Sequence, residues 1–239
     1  MFTPIRQRDI KRYSLLFVFL TVWGCGGPER VALRGGTEHL LLLHHRTLKY
    51  EERTGSEVRP YTIRMFYSGG RTVRVYELQI KGADFGRCRF VSKDKQVDFE
   101  TNKPVTALQD VPEFRQLWVD ETAGPGDDWF DPDTGTQTVV AASETVTVPA
   151  GTYESCYKTV TTGTPELMDS LDVWRERGEL PDEIYQSQMA AARAVVIRWF
   201  ASGVGLVKEQ IGSPDHVREL VAVSEPGTGK VDVESPEEE

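Results

Sequence analysis

Two segments built alike, each a strand, a glycine-containing turn and a second strand, constrain this chain more than any other feature. The first is Glu144 to Cys156, E-T-V-T-V-P-A-G-T-Y-E-S-C, and the second is Arg198 to Gln210, R-W-F-A-S-G-V-G-L-V-K-E-Q. Thr145, Val146, Thr147 and Val148 are β-branched and suit a pleated surface. Pro149 fixes its own φ, and Gly151 supplies the backbone freedom that a tight reversal needs. The pair argues for a strongly curved antiparallel sheet. Neither carries catalytic chemistry, so they fix architecture and not a reaction.

The flanking sequence repeats the pattern. Tyr61 to Tyr67 and Arg71 to Ile80 read as strands joined across Ser68-Gly69-Gly70. Tyr76, Leu78 and Ile80 alternate with Glu77 and Gln79, which gives one buried and one wet face. Cys88 and Phe90 share a face, and Val97 and Phe99 continue the meander. His39 to Glu52 is apolar enough for helix or strand, and the hairpins that follow favour strand. There His44 and His45 would point to opposite faces and could not share a metal. Val111 to Val119 reads as a short helix with Phe114, Leu117 and Trp118 on one side. Asp131 and Asp133 have the alternate spacing of calcium ligands, but the glycine an EF-hand loop needs at its sixth position is missing from either start. Asp127 to Gly135 therefore reads as a solvated turn, and no metal is expected.

A longer helical signal appears at 164–193. Thr164-Pro165-Glu166 has the form of an N-cap with proline at the first helical position. Leu167, Met168, Leu171 and Trp174 recur at helical spacing up to Gly178, and Ile184, Tyr185, Gln188, Met189 and Ala192 mark a second helix. The stripe either packs on the sheet as plain core or covers a concave apolar surface as a lid. The fold class is α+β: a mainly antiparallel half-barrel with an inserted helical hairpin.

The first 25 residues bear on location. Arg6, Arg8, Lys11 and Arg12 precede the apolar run Tyr13 to Val22, which is shorter than the roughly 20 residues a spanning helix needs. Residues 1–24 read as a signal peptide. Val22-Trp23-Gly24-Cys25 follows. Removing residues 1–24 takes away four basic groups and Asp9, which moves the formal net charge from −9 to −12. So acidic a surface repels phosphate backbones and argues against nucleic acid as a partner. Cys88 and Cys156 remain for a compartment where disulfides persist. They either bridge two strands or stay as buried thiols, which behave as small hydrophobes.

The Val22 to Cys25 junction resembles a bacterial lipobox, although Trp23 stands where a small residue is usual. That resemblance implies acylation at Cys25, a tether over residues 25–35 and attachment to a membrane through the acyl chains. Gly26, where aspartate would favour inner-membrane retention, leans the assignment to the outer membrane, facing the periplasm. Val146 to Tyr153 and Gly203 to Lys208 resemble the T-V-x-V-P-A-G-T-[FY] and G-V-G-x-V-K segments of β-rich bacterial lipoproteins of uncharacterised function. Their domains are similar to the lipoprotein-carrier (LolA/LolB-like) half-barrels, which shelter acyl chains beneath a helical cover. The resemblance covers roughly residues 36–224, and the Pro, Gly and terminal Glu run at 225–239 reads as an acidic disordered tail. With the helical hairpin and the acyl anchor, the strand-rich chain suggests a lining for a lipid or other apolar ligand drawn from Leu167, Leu171, Trp174, Ile184 and Met189 and the central strands. The alternative is a structural lipoprotein that docks another envelope protein. No G-x-S-x-G, H-E-x-x-H or P-loop occurs, so neither an enzyme nor a cofactor is expected.

Overall fold

The computed structural model describes residues 34–82, 87–102, 104–105, 109–110 and 114–225. The signal peptide, Cys25 and the tail beyond Glu225 lie outside them. The chain begins with β1 (Arg34–Gly36) and β2 (Leu41–Leu43), then runs through β3 (Thr47–Thr54), β4 (Glu57–Gly69), β5 (Val73–Lys81), β6 (Arg87–Lys93) and β7 (Gln96–Asn102). Two short pieces, β8 (Pro104–Val105) and β9 (Gln109–Asp110), precede β10 (Phe114–Asp120), β11 (Asp128–Asp131), β12 (Thr136–Val148) and β13 (Gly151–Gly163). Two helices, α1 (Pro165–Glu176) and α2 (Asp182–Arg193), come before β14 (Val196–Ala201), β15 (Gly205–Ile211) and β16 (His216–Ser224).

Twelve strands form one antiparallel sheet in the order β10-β7-β6-β5-β4-β3-β16-β15-β14-β13-β12-β11. Its two edges, β10 and β11, are consecutive in sequence. They meet without a backbone ladder: the Leu117 N–H donates to Asp131 Oδ2 at 3.0 Å, and Gln116 Nε2 donates to Thr136 Oγ1 at 3.3 Å. The sheet is thus a nearly closed barrel, more complete than the half-barrel expected from the sequence. Burial raises the carboxyl pKa of Asp131, against the N–H groups that favour its charged form. This aspartate, placed by sequence in a solvated turn, ties the barrel seam.

The expected helix at 111–119 is instead the edge strand β10, paired residue by residue with β7 from Phe114. A register shift between Leu117 and Val119 breaks the two-residue alternation, and both Trp118 and Val119 turn inward. The bulge makes apolar residues recur at a spacing that mimics a helix. His44 and His45 are not in a strand either. They occupy the turn after β2, His45 has φ 64°, and the rings lie 3.8 Å apart between centroids. The end of the expected tether, Arg34 and Gly35, belongs to β1. Gly36 has φ 83°, and a Cβ on it would lie 2.0 Å from the Leu40 carbonyl oxygen. Glycine there lets β1 fold back on β2, so Leu40 and Leu42 plug one end of the barrel.

The interior is mainly apolar, apart from one charged cluster, and the exterior is charged. Along β3, buried Leu48 and Tyr50 alternate with exposed Lys49 and Glu51; on β4, Arg64 stands outside between Ile63 and Met65. That arrangement is the reverse of a lipid-facing barrel. Hairpin β12–β13 outreaches its neighbours and bends where its register breaks, with Ser155 at φ 52°. Its tip returns to β16 through the Ala150 N–H and the Leu220 carbonyl, adding Val146, Val148 and Cys156 to the core.

The two cysteines are separate buried thiols and do not form the bridge left open by the sequence. Cys88 on β6 donates to Thr101 Oγ1 on β7, whereas Cys156 donates to its own strand's Tyr153 carbonyl, and β6 and β13 are not neighbours in the sheet. Burial raises the pKa of both thiols, which keeps them protonated and unreactive. Reductant is therefore expected to leave the melting temperature unchanged. Thiol titration in denaturant should find both reactive without prior reduction; finding neither would establish the bridge.

Candidate functional site

Opposite the β1–β2 plug, the barrel interior opens into a cavity of ≈ 220 Å³. Tyr61, Ile63, Ile80, Phe99 and Trp118 give it aromatic and aliphatic walls, and Arg198, Glu209 and Arg218 give it one charged side. These three are brought together by register, since Arg198 of β14 lies opposite Glu209 of β15, and Glu209 opposite Arg218 of β16. Directly opposed residues on antiparallel strands project from the same face.

All three are buried, yet their charges are paired. Arg198 Nε donates to Glu209 Oε1 at 2.8 Å, and Arg218 donates through Nη1 to Glu209 Oε2 and through Nη2 to Glu52 Oε1 at 2.7 Å. His216 Nε2 lies 3.2 Å from the same Glu52 oxygen. The guanidinium carbons also lie over rings, Arg218 at 3.8 Å from the Tyr61 centroid and Arg198 at 4.4 Å from Trp118. Burial opposes the charge of Arg218, but Glu209, Tyr61 and Glu52 outweigh it and raise its pKa. Burial drives the Tyr61 phenol well above its ordinary range.

Arg198 differs from Arg218 in one respect. It is 8% exposed and spends only Nε on a partner. No described residue accepts from either of its Nη groups, and they face a chamber that is otherwise mainly apolar. A cavity with few, convergent polar groups is the usual form of a small-molecule site. Its volume is below the ~300–1,000 Å³ of sites for drug-sized ligands, so it fits a small molecule or one end of a longer one.

Glu52 makes the charged cluster sensitive to acid. Burial would raise its pKa, but Arg218 and His216 prevail and hold it below the ordinary 4.5. A depressed folded-state pKa means stability that is present at neutral pH and lost as pH falls from about 4.5 downward. Glu52→Gln should lower the denaturant midpoint at pH 7 and flatten its decline below pH 4.5. Parallel wild-type and variant curves would remove Glu52 from the account.

The residues expected to line a ligand site lie elsewhere. Leu171 and Met189 are buried with Tyr185 and Ala192 in a small core of the helical hairpin, separate from the barrel core, and Leu167 packs against it. Leu167 and Leu171 border a crevice of ≈ 240 Å³ with Thr134, Gln188 and Ala192, outside the barrel. Trp174 and Ile184 are each 43% exposed and line neither space. The helices sit beside the end of β13, where a Cβ on Gly163 would lie 2.4 Å from the Ala192 carbonyl oxygen. The cavity side chains Arg198, Glu209 and Arg218 were missed although a signal existed. Arg218 stands two residues from Leu220 in V-R-E-L-V, and Arg198 two from Phe200, so each shares the face of a core residue.

No family model matches the chain, and no curated protein sequence matches it. Among solved structures it is similar to a Bacteroides fragilis protein assigned as exported, with a YmcC-like fold (11% identity, 81% of this chain and 100% of that one, TM-score 0.44). It is also similar to a Parabacteroides distasonis protein assigned as a lipoprotein (10% identity, 79% of this chain and 99% of that one, TM-score 0.45). Likenesses of this degree carry no argument about what the chain does.

Proposed function

We propose that this protein is a non-enzymatic lipoprotein of the bacterial cell envelope that shelters a small apolar ligand, or the apolar end of a larger one, inside its barrel. Acyl chains on Cys25 hold it to the membrane. Gly26 favours the outer membrane, with the barrel in the periplasm and no nucleic acid among its partners. The observation that carries the binding role is the cavity at the end of the barrel away from the plug. Its walls are aromatic and aliphatic, and its one charged side is internally paired. The basic, apolar and cysteine segments in residues 6–25 support the anchor.

Native mass spectrometry of the chain extracted from membranes tests both parts. Acylated protein carrying an additional apolar molecule is the expected result. Protein that stays empty and takes up no added apolar probe would end the binding role, and a Cys25→Ala variant that remains in the membrane fraction would end the anchor.

A second reading, docking of another envelope protein, is favoured by the exposed Val173, Trp174 and Ile184 of the helical hairpin. Trp174→Ser with Ile184→Ser would then abolish a specific crosslinked partner and leave cavity binding intact.

A further inference from the structure

We infer that the cavity recognises an uncharged carbonyl group, the head of an ester, amide or ketone with an apolar body, through the unused Nη groups of Arg198. This rests on the binding role proposed above and specifies its ligand.

The argument begins from the donors. A guanidinium carries five N–H donors in a fixed fork. Arg198 uses Nε on Glu209, and its Nη donors have no acceptor among the described residues although the residue is 8% exposed. Neither Nη is among the buried atoms that lack a partner, so both are open to the cavity, where a ligand oxygen would replace water and form a charge-assisted hydrogen bond beside apolar walls. Trp118, against which Arg198 stacks, fixes the plane in which those donors lie.

Charge then selects the kind of oxygen. Arg198 and Arg218 are matched by Glu209 and Glu52, two cations by two anions within one hydrogen-bonded cluster. A carboxylate on Arg198 would add a third anion beside Glu209, against apolar walls that screen charge poorly. A carbonyl oxygen accepts from the same Nη groups and leaves the balance undisturbed. The apolar remainder of the ligand meets Ile63, Ile80 and Phe99.

Three probes built on one six-carbon chain separate these terms: methyl hexanoate, hexanoate and hexane. Each is titrated against the full chain held in amphipol, with Trp emission and saturation-transfer NMR as readouts. The ester is expected to bind at least tenfold more tightly than either of the others. Arg198→Met, which keeps an apolar stem, should reduce the ester to the affinity of hexane. If that variant loses its near-ultraviolet circular dichroism, the wild-type ranking of the three probes decides alone. Hexanoate binding more tightly than the ester would overturn the charge argument. Equal binding of all three would leave the apolar binding role standing and remove Arg198 from recognition. No binding by any probe would remove both.

Discussion

Glu209→Ala is expected to destabilise the barrel by about 3–5 kcal/mol, the range for removing one partner of a buried ion pair. Glu209 receives both arginines of the cavity side, one on each carboxylate oxygen. Without it Arg218 retains Glu52 and the face of Tyr61, but Arg198 retains only the ring of Trp118. The stranded charge is therefore that of Arg198. For a domain of this size each kcal/mol moves the melting temperature by about 2–4 °C, which gives a fall of roughly 6–20 °C. Glu209→Gln keeps one oxygen acceptor but turns an N–H donor towards an arginine, and should lie between alanine and wild type. Replacing Arg198, Glu209, Arg218 and Glu52 together by Met, Leu, Met and Gln removes both cations and both anions at once. That quadruple variant should be close to neutral, because paired burial offsets the desolvation penalties and adds little beyond them. Calorimetry on the four proteins checks the ranking. A Glu209→Ala loss below about 1 kcal/mol would mean that water already solvates the cluster through the cavity mouth.

How far the sequence reveals this fold depends on how regular each strand is. Apolar and polar residues largely alternate in the sequences of β4, β5 and β7, and their hairpins were legible, as were Pro149-Ala150-Gly151 and Thr164-Pro165. Closure of the barrel was not. It depends on two edge strands whose patterns are disturbed, β10 by its bulge and β11 by lasting only from Asp128 to Asp131. Side chains instead of a ladder join these edges, so no two-residue period announces them. The amphipathic stripe at 164–193 was read as core on the sheet or as a lid over it, whereas Leu171, Tyr185 and Met189 pack against one another between the two helices. Meanwhile, an arginine within an apolar strand reads as a solvated residue until its parity with Phe200 or Leu220 is counted.

Arg46→Ala is the second change with a large expected effect, and it acts at the other end of the barrel. Arg46 is 1% exposed. Nη1 donates to the Leu41 carbonyl at 3.0 Å, and Nη2 donates to the Gly203 carbonyl at 3.1 Å and pairs with Glu225 at 3.0 Å. Burial lowers its pKa and Glu225 opposes the shift, so the charge is held there at some expense. What it supports is the join between the β1–β2 plug, the β14–β15 turn and the end of β16. Alanine would take the donors from two part-buried carbonyls, each costing about 1–3 kcal/mol, for a total of about 2–6 kcal/mol. Arg46→Met restores the volume and removes the desolvated charge but still orphans the carbonyls, so it should recover part of the loss. Arg46→Lys places one compact ammonium where a fork spanned two carbonyls, and should recover less than the charge alone suggests. Hydrogen exchange locates the damage. Amides of residues 34–43 and Gly203 should lose protection in Arg46→Ala well before β4 or β13 does. Unchanged protection there would mean that burial of Leu40 and Leu42 holds the plug by itself. The distinction bears on the proposed anchor, because the chain enters the described fold through β1 at this plug.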